Sequence, residues 1–334
     1  MKKVIKCMGM MALIALAFTS CKKQEQSTCK ATIQDLVVED EDRAYIDGNY
    51  KVHFEVGDRI MIFNISNSDP LESESATYRT VDEGTHVELV HSGFGNVGNA
   101  EDAGYYAYYP SSFVDGPSGA PEPDRIDVLL EDGENKSRFL VSPEQEYRPD
   151  MVALKDFYLA GHVTQAEAPT IGMANFHMQF ICGVLQLKPY EAAQRTVTRI
   201  EVVDNFFNLS GWVEVIIPEI DNAEMMSLFN GFNPADPTWV DALNTWRTKT
   251  GFNVTGAEMG NVMGLDIPGG VQLGNTKATT PVFNIVLRPL ALTYGCHIIF
   301  HFADGGMKDI DLSSKNLKIK PNVVKSVGLN MDNY

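Results

Sequence analysis

The sequence contains few cysteines and none of the short motifs that mark the commonest enzyme classes. Only 5 of its 334 residues are cysteine, and no two of them have the CxxC spacing of zinc and redox sites. The GxSxG and HExxH motifs are also absent. Because no nucleophile, base and orienting group stand at a recognisable spacing, the sequence predicts a protein that is not an enzyme and needs no cofactor. A hydrolase of unrecognised type stays an alternative, and it would need a cleft with converging carboxylates or histidines.

Positive charge is also scarce. The chain has 27 lysines and arginines against 44 aspartates and glutamates, a formal net charge of −17. Such a surface is repelled by phosphate backbones and by anionic lipid headgroups. Nucleic-acid binding is therefore disfavoured, and contact with a membrane has to come from something other than surface charge.

The chain has one long apolar run, from about Val4 to Phe18. It is shorter than the roughly 20 residues that cross a bilayer, three lysines (Lys2, Lys3 and Lys6) lie at its start, and it ends in the stretch "AFTSCKK". This is the layout of a signal peptide. We interpret residues 1–20 as a lipoprotein signal, Cys21 as the acylated first residue of the mature chain, and residues 21–44 as a tether with a first strand. Ordinary cleavage after Ala17 is the alternative, and it would leave Cys21 unmodified.

The rest of the chain is rich in short alternating runs. In "VHFEVGDRIMIF", one face of a strand carries Val52, Phe54 and Val56 before a turn at Gly57-Asp58, and a second strand follows it. Many such runs, separated by Gly, Pro, Asn and Asp, predict an all-β protein made of β-sandwiches. Helix is scarce: the best candidate spans 236–251, and a shorter one spans 223–229.

The 314 residues that follow the signal are enough for two domains. The Pro-containing segment near 164–172 separates a first predicted domain, 45–168, from a second, 169–334. The closing run "VVKSVGLNM" (323–331) has the pattern of a strand. It either completes the second domain or is donated to a neighbour, and both roles stay open.

Two cysteines, Cys182 and Cys296, lie inside apolar strand patterns. A buried cysteine behaves as a small apolar residue, which is the interpretation we favour. A disulfide between the two remains open, because spacing alone does not place their Cβ atoms together.

Four further patterns are candidate sites with simpler structural readings. "GFGNVG" (93–98) is followed by a turn and a strand, so we interpret it as a hairpin loop and not a phosphate site. His297 and His301 lie about 13 Å apart along a strand, too far to share a metal. The remaining patterns are the carboxylates of "DGGMKDID" and the tyrosines of "YYAYYP". The carboxylates are weak calcium candidates beside a hairpin, and the tyrosines would bind glycans only if they were exposed together. These residues are Asp304, Asp309, Asp311, Tyr105, Tyr106, Tyr108 and Tyr109.

Several motifs, in their order along the chain, resemble the fimbrillin-like proteins of Bacteroidota, which are related to the major and minor subunits of type V pili. They are a lipoprotein signal, "DRA" at 42–44, "FEVGDRIMIF" at 54–63, "YYAYYP" at 105–110, "DFYLAG" at 156–161 and "FHMQFICGVLQL" at 176–187. The resemblance implies two tandem transthyretin-like β-sandwich domains, with one or two short helical insertions here. It also implies a lipid-anchored protein displayed on the outer membrane, acting as a structural or adhesion subunit of fimbriae.

In this family an arginine-specific protease removes a first strand, and a strand from the next subunit fills the groove. Arg43 is the residue that corresponds to the cleavage point. The expected partners are therefore other fimbrial subunits or further copies of the chain, together with host or bacterial surface ligands. An uncut lipoprotein in which Arg43 is an ordinary surface residue is one alternative. A monomeric, glycan-binding surface lipoprotein is another.

Overall fold

The fold was described from a computed structural model. It describes residues 28–34, 37–40, 53–66, 74–109, 126–131, 134–149, 158–205, 208–216, 238, 254–292, 295–315 and 317–334. The all-β class predicted from the sequence is confirmed. Short 3-10 turns lie at Ile171–Met173, Ser313–Lys315 and Met331–Asn333.

The described residues form strands that we number in chain order. They are β1 (Thr28–Ile33), β2 (Val37–Asp40), β3 (Arg59–Ile65), β4 (Glu74–Thr80), β5 (His86–Gly95), β6 (Gly104–Tyr109), β7 (Ile126–Glu131), β8 (Glu134–Val141), β9 (Glu144–Glu146), β10 (Leu159–Val163), β11 (Asn175–Phe180), β12 (Gly183–Tyr190), β13 (Thr196–Asp204), β14 (Ser210–Ile216), β15 (Val254–Gly260), β16 (Val262–Gln272), β17 (Phe283–Leu287), β18 (Leu290–Leu292), β19 (Cys296–Phe302), β20 (Met307–Asp311), β21 (Leu317–Ile319) and β22 (Val323–Asn330).

Seven strands form a sheet that closes into a barrel, in the order β1-β11-β10-β6-β3-β4-β5. Every residue of β6 is buried, because both faces of this strand are covered. The hydroxyl of Tyr105 donates a hydrogen bond to the carbonyl of Gly98 at 2.6 Å, and Tyr108 makes an edge contact with Phe63. Buried aromatic rings with satisfied hydroxyls therefore make β6 one wall of the core.

The remaining strands form three further sheets and a two-stranded ribbon. The C-terminal sheet has the order β17-β12-β22-β2, and the five-stranded sheet has the order β20-β19-β13-β16-β9. Strands β15-β14-β8-β7 form a fourth sheet, and β18 pairs with β21. The buried apolar residues of the barrel and of these sheets belong to one continuous core.

The stretch before β3 differs from the prediction. Phe54 is buried and forms a single antiparallel bridge with Gly84, but Val56 is 65% exposed. The amide of Gly57 instead donates to the carbonyl of Thr80. In the described part of this segment, residues 53–58, Phe54 reaches the core, so the chain forms an anchored turn there and not a full strand.

The glycine-rich stretch 93–98 lies at the end of β5, where no helix follows. Gly95 has φ +68°, and a Cβ there would lie 1.9 Å from the carbonyl oxygen of Ser75. The amide of Gly98 donates to the carboxylate of Glu74. A strand irregularity beside a neighbouring strand, not a phosphate loop, explains these glycines.

Strand pairing crosses the predicted domain boundary at 168/169. Strand β9 pairs with β16 and β8 pairs with β14, whereas β11 joins the barrel. The two-domain division stays a prediction. Of the predicted helix 236–251, Thr238 is helical, and the rest lies outside the described residues, as does the predicted helix 223–229.

Candidate strand-acceptor site

Strand β1 lies in the interior of the barrel sheet and not at an edge. It pairs in parallel with β11 on one side and antiparallel with β5 on the other. Its backbone bonds extend past its last residue: the amide of Ile33 donates to the carbonyl of Thr85 at 2.8 Å, and that of Gln34 donates to Met178 at 2.9 Å. Without β1, two rows of backbone groups on β5 and β11 would face each other with no partner.

The side chains that β1 turns to the core are small near its start. Cys29, Ala31 and Ile33 are buried, and they alternate with the exposed or half-buried side chains of the other face. Ala31 lies in register with Val87 on one side and Phe176 on the other. Burial raises the pKa of the Cys29 thiol far above its ordinary value, and the charge of Glu88 adds to the effect. This thiol is therefore protonated and shielded while β1 is in place.

Strand β2 lies beside β22, at the edge of the C-terminal sheet. The two strands are parallel, and the register pairs Val37 with Val323 and Asp40 with Ser326. Residues 28–40 thus supply a strand to the barrel and, after a short connection, a strand to a second sheet.

The closing run 323–331 lies between β12 and β2 in the chain's own sheet. Its apolar residues Val323, Val324, Val327 and Leu329 are buried. The sequence left two roles open for this run, and in the structure it completes a sheet of its own chain.

Arg43 and Cys21 lie outside the described residues. Arg43 follows the last residue of β2 by three positions in the sequence. Its assignment as a cleavage point, and that of Cys21 as an acylated residue, stay predictions.

The three acidic metal candidates have separate partners. Asp304 accepts a hydrogen bond from the amide of Gly306 in the β19–β20 turn at 2.8 Å. Asp309 lies 2.9 Å from Nδ1 of His297. Hydrogen bonds from Ser313 lower the pKa of Asp311. Within the described ranges, no group of three or more His, Cys, Asp or Glu side chains is close enough together to hold a metal ion.

The histidine pair of β19 lies on the outer face, as the alternation predicts. His297 and His301 are half-buried, whereas Ile298 and Phe300 between and beside them are fully buried. Nε2 of His301 lies 3.2 Å from Oε2 of Glu201, so each histidine faces its own carboxylate.

The tyrosine cluster is part of the core. Tyr105, Tyr106, Tyr108 and Tyr109 are each between 0% and 6% exposed, so they do not form a platform on which a sugar could stack. Trp212 and Trp239 are further aromatic residues on which a glycan could stack, and their side chains lie outside the described residues.

The internal cysteines are buried. Cys182 and Cys296 are both free thiols, as expected for cysteines that act as small apolar residues. Burial raises the pKa of Cys296 to about 12.

An ion-pair cluster on the five-stranded sheet was not predicted from the sequence. The guanidinium of Arg199 contacts Glu144 at 2.7 Å through two nitrogens, Asp266 at 2.9 Å and Glu201 at 2.9 Å. These hydrogen bonds, the one donated to Glu144 first, raise the pKa of Arg199. A Cβ on Gly264 would lie 2.2 Å from Nη2 of Arg199, so this glycine leaves room for the guanidinium to lie across the sheet. The cluster joins β9, β13 and β16.

The residues that pair with β1 and β2 were also not predicted from the sequence. Lys30 lies in register with Glu88 of β5, and Glu39 with Lys325 of β22. The sequence shows the opposite charges of these residues, but only the strand pairing shows that they are neighbours.

Comparison with known proteins gives solved structures only. No protein-family model matches the chain, and no curated protein matches it significantly. Among solved structures, one assigned to cell adhesion from Bacteroides uniformis covers 93% of this chain and 94% of its own, with 12% identity and a TM-score of 0.49. A second such protein, from Bacteroides ovatus, covers 92% of each chain with 12% identity and a TM-score of 0.47.

A fimbrial protein from Bacteroides ovatus matches 91% of this chain and 49% of its own length, with 12% identity and a TM-score of 0.38. These names belong to the class of proteins that the sequence resemblance had indicated. In the part of the chain that the structure describes, no helix has the length and apolar character needed to span a bilayer.

Proposed function

We propose that this chain is a surface subunit that works through β-strand addition, in the manner of the fimbrillin-like proteins that its sequence resembles. The observation that carries the proposal is the position of residues 28–40. One short segment provides an interior strand of the barrel and an edge strand of the C-terminal sheet. It ends three residues before Arg43.

Cleavage at Arg43 would change the energetics of this segment without changing its contacts. While the chain is intact, the covalent link gives β1 and β2 a high effective concentration beside their partners. After cleavage the same pairing becomes bimolecular, so dilution favours release. The vacated edges of β5, β11 and β22 would then accept an extended strand through main-chain hydrogen bonds.

An arginine-specific protease tests this proposal, with the Arg43→Lys variant as matched control. We expect mass spectrometry to find cleavage after residue 43 in the wild-type chain only. A fluorescent peptide of residues 28–40 should then enter the cleaved chain and not the variant. Absence of a cut near residue 43, or a cut chain that takes up no peptide, would overturn the proposal.

The proposal includes export and anchoring through Cys21. The diacylated N-terminus would hold the acidic protein at the outer membrane, and the polar residues after Cys21 would act as a tether. Mass analysis of the N-terminal peptide from membranes tests this part. We expect a lipid-modified Cys21, with loss of membrane attachment in Cys21→Ser. An unmodified mature N-terminus would contradict it.

A further inference from the structure

The register between β2 and β22 matches residue chemistry at four consecutive positions. Valine lies opposite valine twice, an acid then lies opposite a base, and a polar residue lies opposite a polar residue. The pairs are Val37 with Val323, Val38 with Val324, Glu39 with Lys325 and Asp40 with Ser326. A slip by one residue would place Glu39 beside a valine or a serine. The acceptor strand therefore specifies its register chemically.

The same ordering continues across the whole C-terminal sheet. One row of register partners is entirely valine, and the next row on the same face is entirely polar. The rows are Val286, Val184, Val324 and Val38, then Asn284, Gln186, Ser326 and Asp40. Nε2 of Gln186 donates to Oδ1 of Asn284 at 3.1 Å, which links two members of the polar row.

Ser326 shows why the free energy of the sheet depends on the residue that faces the polar row. Its side chain is 0% exposed, and its hydroxyl has no hydrogen-bond partner among the residues that the structure describes. A buried hydroxyl without a partner costs free energy. The resident strand has the polar Asp40 at this register position, where an apolar side chain could offer the hydroxyl no acceptor at all.

At the barrel end of the acceptor site, the acceptor strand supplies an acid and the incoming strand a base, which is the reverse of the arrangement at β22. Lys30 is exposed and lies in register with Glu88 of β5. The residues on either side of Lys30 are Cys29 and Ala31, both buried, so the site requires small side chains there. The resident segment thus carries a base and, nine residues later, an acid. A strand in reverse orientation would bring like charges together at both positions.

The complete chain offers little else that has this pattern. A base followed by two aliphatic residues at positions +7 and +8, an acid at +9 and a polar residue at +10 occurs twice in the sequence. The first occurrence starts at Lys30. The second starts at Arg195 and ends at Val202-Val203-Asp204-Asn205, within and just after β13, an interior strand of the five-stranded sheet. A cleaved copy of this protein would lack the first and keep the second buried.

We propose that the acceptor site selects a strand of a different subunit by the order of its charges. This inference rests on the proposed function. The partner strand presents a base between small residues to Glu88. Nine residues later it presents an acid to Lys325, followed by a polar residue at Ser326. The cleaved protein is therefore an acceptor for a second type of chain and does not polymerise with itself.

Charge-swapped peptides and chains test this inference. The wild-type 28–40 peptide and its Lys30→Glu/Glu39→Lys form are offered in reducing buffer to two chains cleaved at Arg43. One chain is wild type, and the other carries Lys30→Glu, Glu39→Lys, Glu88→Lys and Lys325→Glu, so that its charges match before cleavage and its folding is not compromised. Each chain should prefer the peptide with matching charges by about tenfold, since two pairs are reversed together.

The outcomes separate the two proposals. Equal binding of both peptides by both chains would overturn the charge selection and leave strand addition standing. Uptake of neither peptide would overturn strand addition, and the inference with it. Light scattering of the cleaved wild-type chain alone should give a monomer. Self-assembly into long polymers would support strand addition but overturn the assignment of the partner to a different subunit.

Discussion

Asp58 is a half-buried carboxylate at the turn that leads into β3. It accepts a hydrogen bond from the amide of Glu55 at 2.8 Å, and Tyr109 is a second partner. Burial raises the pKa of Asp58 despite these contacts, and burial beside Asp58 also raises the pKa of Tyr109. These hydrogen bonds fix the turn, but they hold the carboxyl group of Asp58 in a partly buried position that disfavours its ionised form.

The Asp58→Asn variant should reveal this cost through pH. Because the pKa in the folded chain lies above the ordinary value, the stability contributed by the protonated carboxyl is present below about pH 4 and is lost as pH rises through the raised pKa. An amide does not titrate. We expect the variant's advantage in urea unfolding midpoint to be small near pH 4 and to increase toward pH 7. An advantage that shrinks as pH rises would contradict the assignment.

The side-chain amide of Gln145 pairs with the backbone at the edge of β17, where a neighbouring strand would otherwise bond. Its Nε2 donates to the carbonyl of Val286 at 2.8 Å, and its Oε1 accepts from the amide of the same residue at 3.0 Å. Gln145 is only 5% exposed. A side-chain amide thus closes one backbone position of an edge strand, which protects that edge from unwanted pairing.

Gln145→Leu should destabilise the protein, because it leaves two buried backbone groups without partners. We expect a loss of about 1–3 kcal/mol for each of them. Thermal or chemical unfolding measures the change, with the exposed Gln272→Leu on β16 as control. Equal effects of the two substitutions would show that the hydrogen bonds to Val286 do not contribute to the free energy of unfolding.

At the scale of single elements, β1 is a core strand built from small residues. Ala31 lies between Val87 and Phe176 and is 1% exposed, whereas Thr32 beside it faces outward. Ala31→Leu should therefore cost about 1–3 kcal/mol of unfolding free energy through overpacking. Thr32→Leu, in the same strand, should change it little. A tolerated Ala31→Leu would mean that β1 does not pack as an interior strand.

The small residues also explain why β1 was only weakly indicated by the sequence. Strands such as β11 and β19 alternate large apolar and polar residues, so their burial pattern follows from the sequence. Cys29 and Ala31 give a weak apolar signal although both are buried. In the opposite case, Val56 continued an alternating pattern but is exposed, because alternation records the residue types and not the presence of a pairing strand.

At the scale of the whole molecule, the all-β class followed from the sequence but the strand order did not. Strand β1 pairs with residues 86–90 and 175–178, and β2 pairs with residues 323–326. Such pairings depend on long-range register, which local pattern does not encode. Arg43 follows β1 and β2 in the sequence, but the sequence does not show that both strands are docked. β2 and its partner β22, for example, lie nearly 300 residues apart.

We propose that residues 28–40, which dock as β1 and β2, form a removable pair of strands whose loss opens the edges of β5, β11 and β22. Amide hydrogen exchange, read by mass spectrometry on the chain cleaved at Arg43 and on uncut Arg43→Lys, tests it most directly. Exchange should rise in β5, β11 and β22 after cleavage, stay low in β19, and fall again when the 28–40 peptide is added. Unchanged protection in β5, β11 and β22, or loss of protection that extends through β19, would contradict the claim.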